Sequence, residues 1–149
     1  MITIILLALA GAVIAAVVGT FWYSNSTPMG KLHMRSLGLD KLSPEEMKRK
    51  MEEAKPMMPK MYAAQLVLAF LTAGATVFII TESVHNGVAF SMALGFVLLN
   101  WLCFMVPMIG QGILWSNCDR TIAWQKFVSD SLSNLVTLLL IACLTFLFL

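Results

Sequence analysis

Four long apolar stretches predict an all-α integral membrane protein, a four-helix bundle forming one domain over residues 1–149. Composition agrees. A chain that is 59% hydrophobic and only 12% charged, with a mean hydropathy of +0.83, has more apolar surface than one water-soluble core of this size can hide. Charge placement gives the orientation: all ten Lys and Arg lie on two of the three connections between the stretches, and none lies on the third or at either terminus. Cytoplasmic loops accumulate Lys and Arg, so both basic connections are expected inside the cell and both termini on the outer side.

Crossing roughly 30 Å of hydrocarbon at 1.5 Å per residue takes about 20 residues, and four segments reach that length: 2–23, 61–80, 88–112 and 127–149. In lipid each backbone polar group must be paired within its own segment, and none of the four shows the alternation of a barrel strand, so all are expected to be helices. The first segment, Ile2 to Tyr23, lacks a positive n-region and is too long for a signal-peptide core, which favours a retained helix over a cleaved leader. It ends on Trp22 and Tyr23, an aromatic pair suited to the headgroup level, and Trp115 and Trp124 are the matching interfacial anchors on the last connection. Gly11, Ala15 and Gly19 form a small-residue ridge along it, which lets a neighbouring helix approach closely.

The connection 24–60 carries thirteen of the eighteen charged residues and is expected to lie in the cytoplasm with one short amphipathic helix. Ser43-Pro44-Glu45-Glu46 is a capping box with proline at the first helical position, and Glu45/Arg49, Glu46/Lys50 and Arg49/Glu53 are favourably spaced charge pairs. Pro56 and Pro59 end that helix. Met47, Met51 and Met58 invite comparison with a thioether copper site, but no thiolate or histidine stands near them. Flexible apolar cover for the bundle floor is the better reading, and no metal is expected.

The outer link, Thr81 to Gly87, is short enough to make the second and third helices antiparallel neighbours. Pro107, close to Gly110-Gln111-Gly112, is expected to break or bend the third helix. In the last connection Asp119 and Arg120 are placed to pair with each other.

Polar residues inside the spans mark either helix packing or a site, because each costs free energy in lipid unless it is paired or wet. Gln65 lies on the second helix, Asn100 and Gln111 on the third, and Asp130, Ser133, Asn134 and Thr137 share one face of the fourth. Asn100 and Asn134 come out at similar depth, where they could bond to each other. On one reading the stripe ties the helices together. On the other, Asp130 binds a cation or proton in a cytoplasm-facing pocket, while Asn100, Asn134, Gln65, Gln111 and Ser133 orient a small polar ligand.

Several chemistries lack their residues. The two histidines, His33 and His85, fall on opposite sides of the membrane, so no bis-histidine haem is expected. Cys103 and Cys143 are expected in opposite halves of the bilayer, and no CxxC occurs. There is no metalloprotease, phosphate-loop, nucleophile-elbow or dinucleotide motif, and no basic-aromatic surface for nucleic acid.

Gly19-Thr20-Phe21-Trp22-Tyr23-Ser24, followed by Gly30-Lys31 and Gly38, resembles a family of small prokaryotic membrane proteins known as domain of unknown function 1761. Trp101-Leu102-Cys103-Phe104 resembles the family's WLGF element, and Asp130 stands where the family carries Asn or Asp early in its last helix. Cys103 departs from the family glycine, the lead-in Asn25 to Met29 is less apolar, and the loop before Trp124 is less basic than the family pattern. The resemblance implies a four-helix membrane protein and brings no activity or catalytic residues. The sequence therefore predicts a multi-pass protein of the cell's inner (plasma) membrane, without catalytic machinery or cofactor. It is expected to act as a structural or accessory subunit that self-associates or joins a larger complex, or alternatively as a minimal transporter or small-ligand binder.

Overall fold

A computed structural model describes residues 1–116 and 118–149, and among these it contains helices and no strand. The helices are α1 (Ile2–Trp22), α2 (Pro28–Ser36), α3 (Pro44–Ala54), α4 (Met58–His85), α5 (Phe90–Asn100), α6 (Val106–Leu114) and α7 (Arg120–Leu147). A 3₁₀ turn, Leu39–Lys41, follows α2, and a π-helical stretch, Trp101–Met105, joins α5 to α6. Four of the resulting rods, α1, α4, α5–α6 and α7, are long and apolar enough to cross a membrane. Two of them outrun the apolar segments that define them. The α4 helix starts at Met58 and runs to His85, and α7 starts at Arg120; helical bonding continues into polar sequence at both, without a side-chain cap at the α4 start and with one at the α7 start.

Asp119 supplies one such cap. Its Oδ1 accepts from the amides of Thr121 and Ile122 at 2.8 and 3.3 Å, so this carboxylate serves the α7 N-terminus and not an ion pair with Arg120. At α3 the capping box forms as expected: the Ser43 amide donates to Glu46 Oε2 at 2.9 Å, and the Glu46 amide donates to Ser43 Oγ at 3.3 Å. The bond from the Ser43 amide holds the Glu46 carboxyl below its ordinary pKa. Of the three expected charge pairs only Arg49 with Glu53 closes, at 3.7 Å.

The connection before α4 holds two α-helices where the sequence predicts one. The additional helix, α2, opens on Thr27-Pro28, with the Thr27 hydroxyl accepting from the Gly30 amide at 2.9 Å. Pro107 also acts differently from a simple break. Having no N–H, it cannot bond to the carbonyl of Cys103, and its ring crowds that carbonyl; the chain answers with the wider π turns of Trp101–Met105 and then continues as α6.

Packing is tightest toward the Thr81–Gly87 link. Ile80, Ala93, Val97, Leu138 and Ala142 form one buried cluster, and Leu7, Ala73, Val77 and Ile141 form a second. Phe90 and Phe146 stack beside them with ring centroids 4.2 Å apart. Gly11 makes the contact between α1 and α4 possible, since a Cβ there would come within 2.8 Å of the Ala73 Cβ. At the other end, the basic end that carries α2 and α3, the helices leave space between them.

Candidate functional site

Near the basic end, the last residues of α1 reach across to α7. Trp22 Nε1 donates to Ser129 Oγ at 3.0 Å, and the Tyr23 hydroxyl donates to Asp130 Oδ1 at 2.7 Å. Lys126, one turn earlier on α7, pairs with the other carboxylate oxygen of Asp130 and sits 5.9 Å from the centre of the Tyr23 ring. One carboxylate thus joins a phenol and an ammonium from two helices, and the paired charge meets the requirement for burial at this depth.

The turn after Tyr23 locks this arrangement. The Thr27 hydroxyl donates to the carbonyls of Trp22 and Ser24, both at 2.8 Å, and folds α2 back beneath α1. Gly30 lies so close that a Cβ would fall 1.9 Å from the Ser24 carbonyl oxygen; only glycine fits. The fold-back brings His33 against Tyr23, with ring centroids 5.1 Å apart and a buried Nδ1 that has no hydrogen-bond partner. Burial, with the Lys126 charge adding to it, lowers the His33 pKa below its ordinary value, although Asp130 opposes the shift.

Two spaces meet at the Tyr23–Asp130 bond. Between α1, α4 and α7 lies a cavity of about 310 Å³, whose wall includes Ala15, Gly19, Tyr23, Gln65, Ser133 and Asn134. On the other side of the bond is a wider vestibule of about 780 Å³ at the basic end, bordered by Arg35, Asp40, Lys41, Asp119, Lys126 and Asp130. Tyr23 borders the first and Asp130 the second.

The predicted polar stripe is therefore divided. Gln65, Ser133, Asn134 and Thr137 line the cavity, and Asp130 stands at its boundary. The Asn134 amide donates to the Asp130 carbonyl at 2.8 Å, within its own helix, and makes no bond to Asn100. Thr137 likewise bonds back to the Ser133 carbonyl at 2.9 Å. Asn100 and Gln111, on the rod formed by α5 and α6, border neither space. The ridge also divides, with Gly11 packed against α4 while Ala15 and Gly19 face the cavity. Among the aromatic anchors, Trp115 and Trp124 are exposed, whereas Trp22 and Tyr23 are bonded inward to α7.

The pairing of Tyr23 with Asp130 and the position of His33 are not predicted from the sequence. The partners of the first lie 107 residues apart, so no local pattern links them. A signal for His33 was present in Thr27-Pro28, the same start signature as Ser43-Pro44, which would have placed it on a helix.

Four membrane-crossing rods with a polar cavity between three of them define a helical membrane protein. The family model described as protein of unknown function (DUF1761) matches residues 6–146, and the chain belongs to that family. No curated protein and no solved structure matches the chain.

Proposed function

We propose that the protein is a non-enzymatic, multi-pass protein of the cell's inner membrane that takes up a small polar solute or cation in the cavity between α1, α4 and α7. The observation that carries this reading is the use made of the α7 polar stripe. Side chains acting as glue would bond across to other helices, yet Asn134 and Thr137 bond within α7 and leave the cavity wall polar, facing Gln65 across the space. A polar wall inside a bilayer is stable when water or a solute wets it. With the basic connections read as cytoplasmic, the vestibule opens to the cytoplasm and both termini lie outside, so in this reading entry is from the cytoplasm past Asp130. Asp130 supplies the negative charge for a cation or proton, and Tyr23 closes the way inward until its hydrogen bond is released.

The test is the thermal stability of the purified protein in detergent with sodium, potassium or ammonium ions. At least one is expected to raise the melting temperature of the native chain and to lose that effect in Asp130→Asn. Indifference of the native protein to all three ions, together with unchanged proton uptake in Asp130→Asn, overturns the reading.

One observation favours a second reading, that of a structural or accessory subunit that self-associates or joins a larger complex. Pro59 to Leu68 on α4 are exposed throughout, so beyond the side that Gln65 and Leu68 turn to the cavity this stretch of a membrane-crossing helix is uncovered. A second copy or a partner protein would cover it. The native mass in a mild detergent decides: a dimer or larger assembly supports this reading, and a monomer at all concentrations removes it.

A further inference from the structure

A groove separate from the cavity and unused by the reading above lies on the outside of the bundle, between α2 and the first turns of α7. It measures about 650 Å³ and is bordered by Lys31, Arg35, Trp124, Gln125, Val128 and Leu132, among others. We infer that this groove binds one anionic phospholipid, with the phosphate on Lys31 and Arg35 and an acyl chain along α7. Lys31 and Arg35 are four residues apart on α2 and so share a face. Neither is in an ion pair among the described residues, and no carboxylate borders the groove. The vestibule, which Arg35 also borders, differs in this respect, since Asp40, Asp119 and Asp130 stand among its cations.

The remaining wall matches the rest of a lipid. Trp124, Val128 and Leu132 repeat every four residues along α7, so they form one stripe that runs from the headgroup level toward the bilayer centre over about 12 Å. Trp124 is half-exposed at the charged end, where an amphipathic ring belongs, and the Gln125 amide adds a donor beside it. Cations at the surface, an aromatic ring at the interface and an apolar stripe below follow the polarity of a phospholipid from phosphate to tail. A free phosphate would use only the cations and leave the stripe unfilled.

Native mass spectrometry of the full chain in detergent tests this, with phosphatidylglycerol and phosphatidylcholine of identical acyl chains as probes. One phosphatidylglycerol per chain is expected to be retained in preference to phosphatidylcholine. K31Q/R35Q is expected to weaken it roughly 30-fold, as loss of two interfacial cations implies, while K48Q/R49Q on α3 leaves it unchanged. Should the double variant not fold, R35Q alone carries the test with about a fivefold loss. Inorganic phosphate at millimolar concentration is expected not to displace the lipid. Equal retention of phosphatidylcholine, binding by R35Q or the double variant within twofold of the native chain, or displacement by phosphate overturns the assignment.

Discussion

Toward the Thr81–Gly87 link, α1, α4, α5 and α7 close on one another around Val77, Ile80, Leu138 and Ile141, each no more than 1% exposed; toward the basic end the same bundle leaves spaces of about 310 and 780 Å³. The residues at the contacts account for the difference. In the closed half, Gly11, Ala73, Ala93 and Ala142 let backbones approach and branched side chains fill the remainder. In the open half, Gln65, Ser133 and Asn134 occupy comparable positions, and their polar ends need water, a solute or their own backbone in place of apolar neighbours. Stability is therefore concentrated in one half and chemistry in the other. What holds the open half together is a small set of polar contacts around Tyr23, Asp130 and Gly30.

Substitutions on the two sides should separate these roles. Leu138→Ala, which opens a void in the closed half, is expected to cost about 3 kcal/mol in reversible unfolding from bicelles, without altering the ion response proposed for the cavity. Gly30→Ala strikes the fold-back beneath α1 and is expected to cost about 2 kcal/mol, because backbone must move to admit the methyl group. Its signature is faster proteolysis of the segment 24–57 while the four long helices stay intact. Tyr23→Phe removes a hydrogen bond to a charged acceptor, for about 1.5 kcal/mol, and should make the cavity more accessible to water-soluble thiol reagents at an engineered Ser133→Cys.

His33 adds a smaller, pH-dependent effect at the same place. Its folded pKa is depressed below the unfolded value of about 6.5, so the unfolded chain binds the proton more readily. The native contact is fully favourable above pH 6.5, and it weakens as the pH falls through that value toward the folded pKa. The stability difference between the native chain and His33→Phe is expected to shrink on acidification from pH 7.5 to 5.5; a difference that is flat or grows contradicts a lowered His33 pKa. Smallest of all, Gln65→Leu is expected to change stability by less than about 0.5 kcal/mol, since its side chain faces open space, while it diminishes the ion response.

The membrane-crossing rods were legible because hydrocarbon imposes a length and a composition that few sequences meet by accident, and the Ser43 capping box was legible because its partners are three residues apart. The α2 helix was missed although Thr27-Pro28 announces it, since Gly30 stands where a capping box would carry an acid and the segment is short and mixed in character. Pro107 signalled an irregularity but not its form, as the π turns at Trp101–Met105 are a compromise between the ring's clash and the pull of Trp101, whose Nε1 donates to the Ser131 carbonyl of α7 at 3.0 Å. For the site, Gln65, Ser133 and Asn134 share one cavity wall, Asp130 borders the vestibule on the far side of the Tyr23 bond, and Asn100 and Gln111 border neither space. Depth along a span can be counted from its ends, whereas the rotation of one helix against another depends on which side chains interlock.

By itself, then, the sequence determined that this chain is helical, that four of its helices are built for lipid, and that its charge is gathered at one end. Those properties follow from transfer free energies and local backbone bonding, which are sums over neighbouring residues. Only the tertiary structure decided that Tyr23 closes on Asp130, that the α7 stripe lines a cavity and does not bind Asn100, and that Lys31 and Arg35 stand unpaired over an apolar groove. Each of these joins segments far apart in the chain, where packing geometry sets the partner.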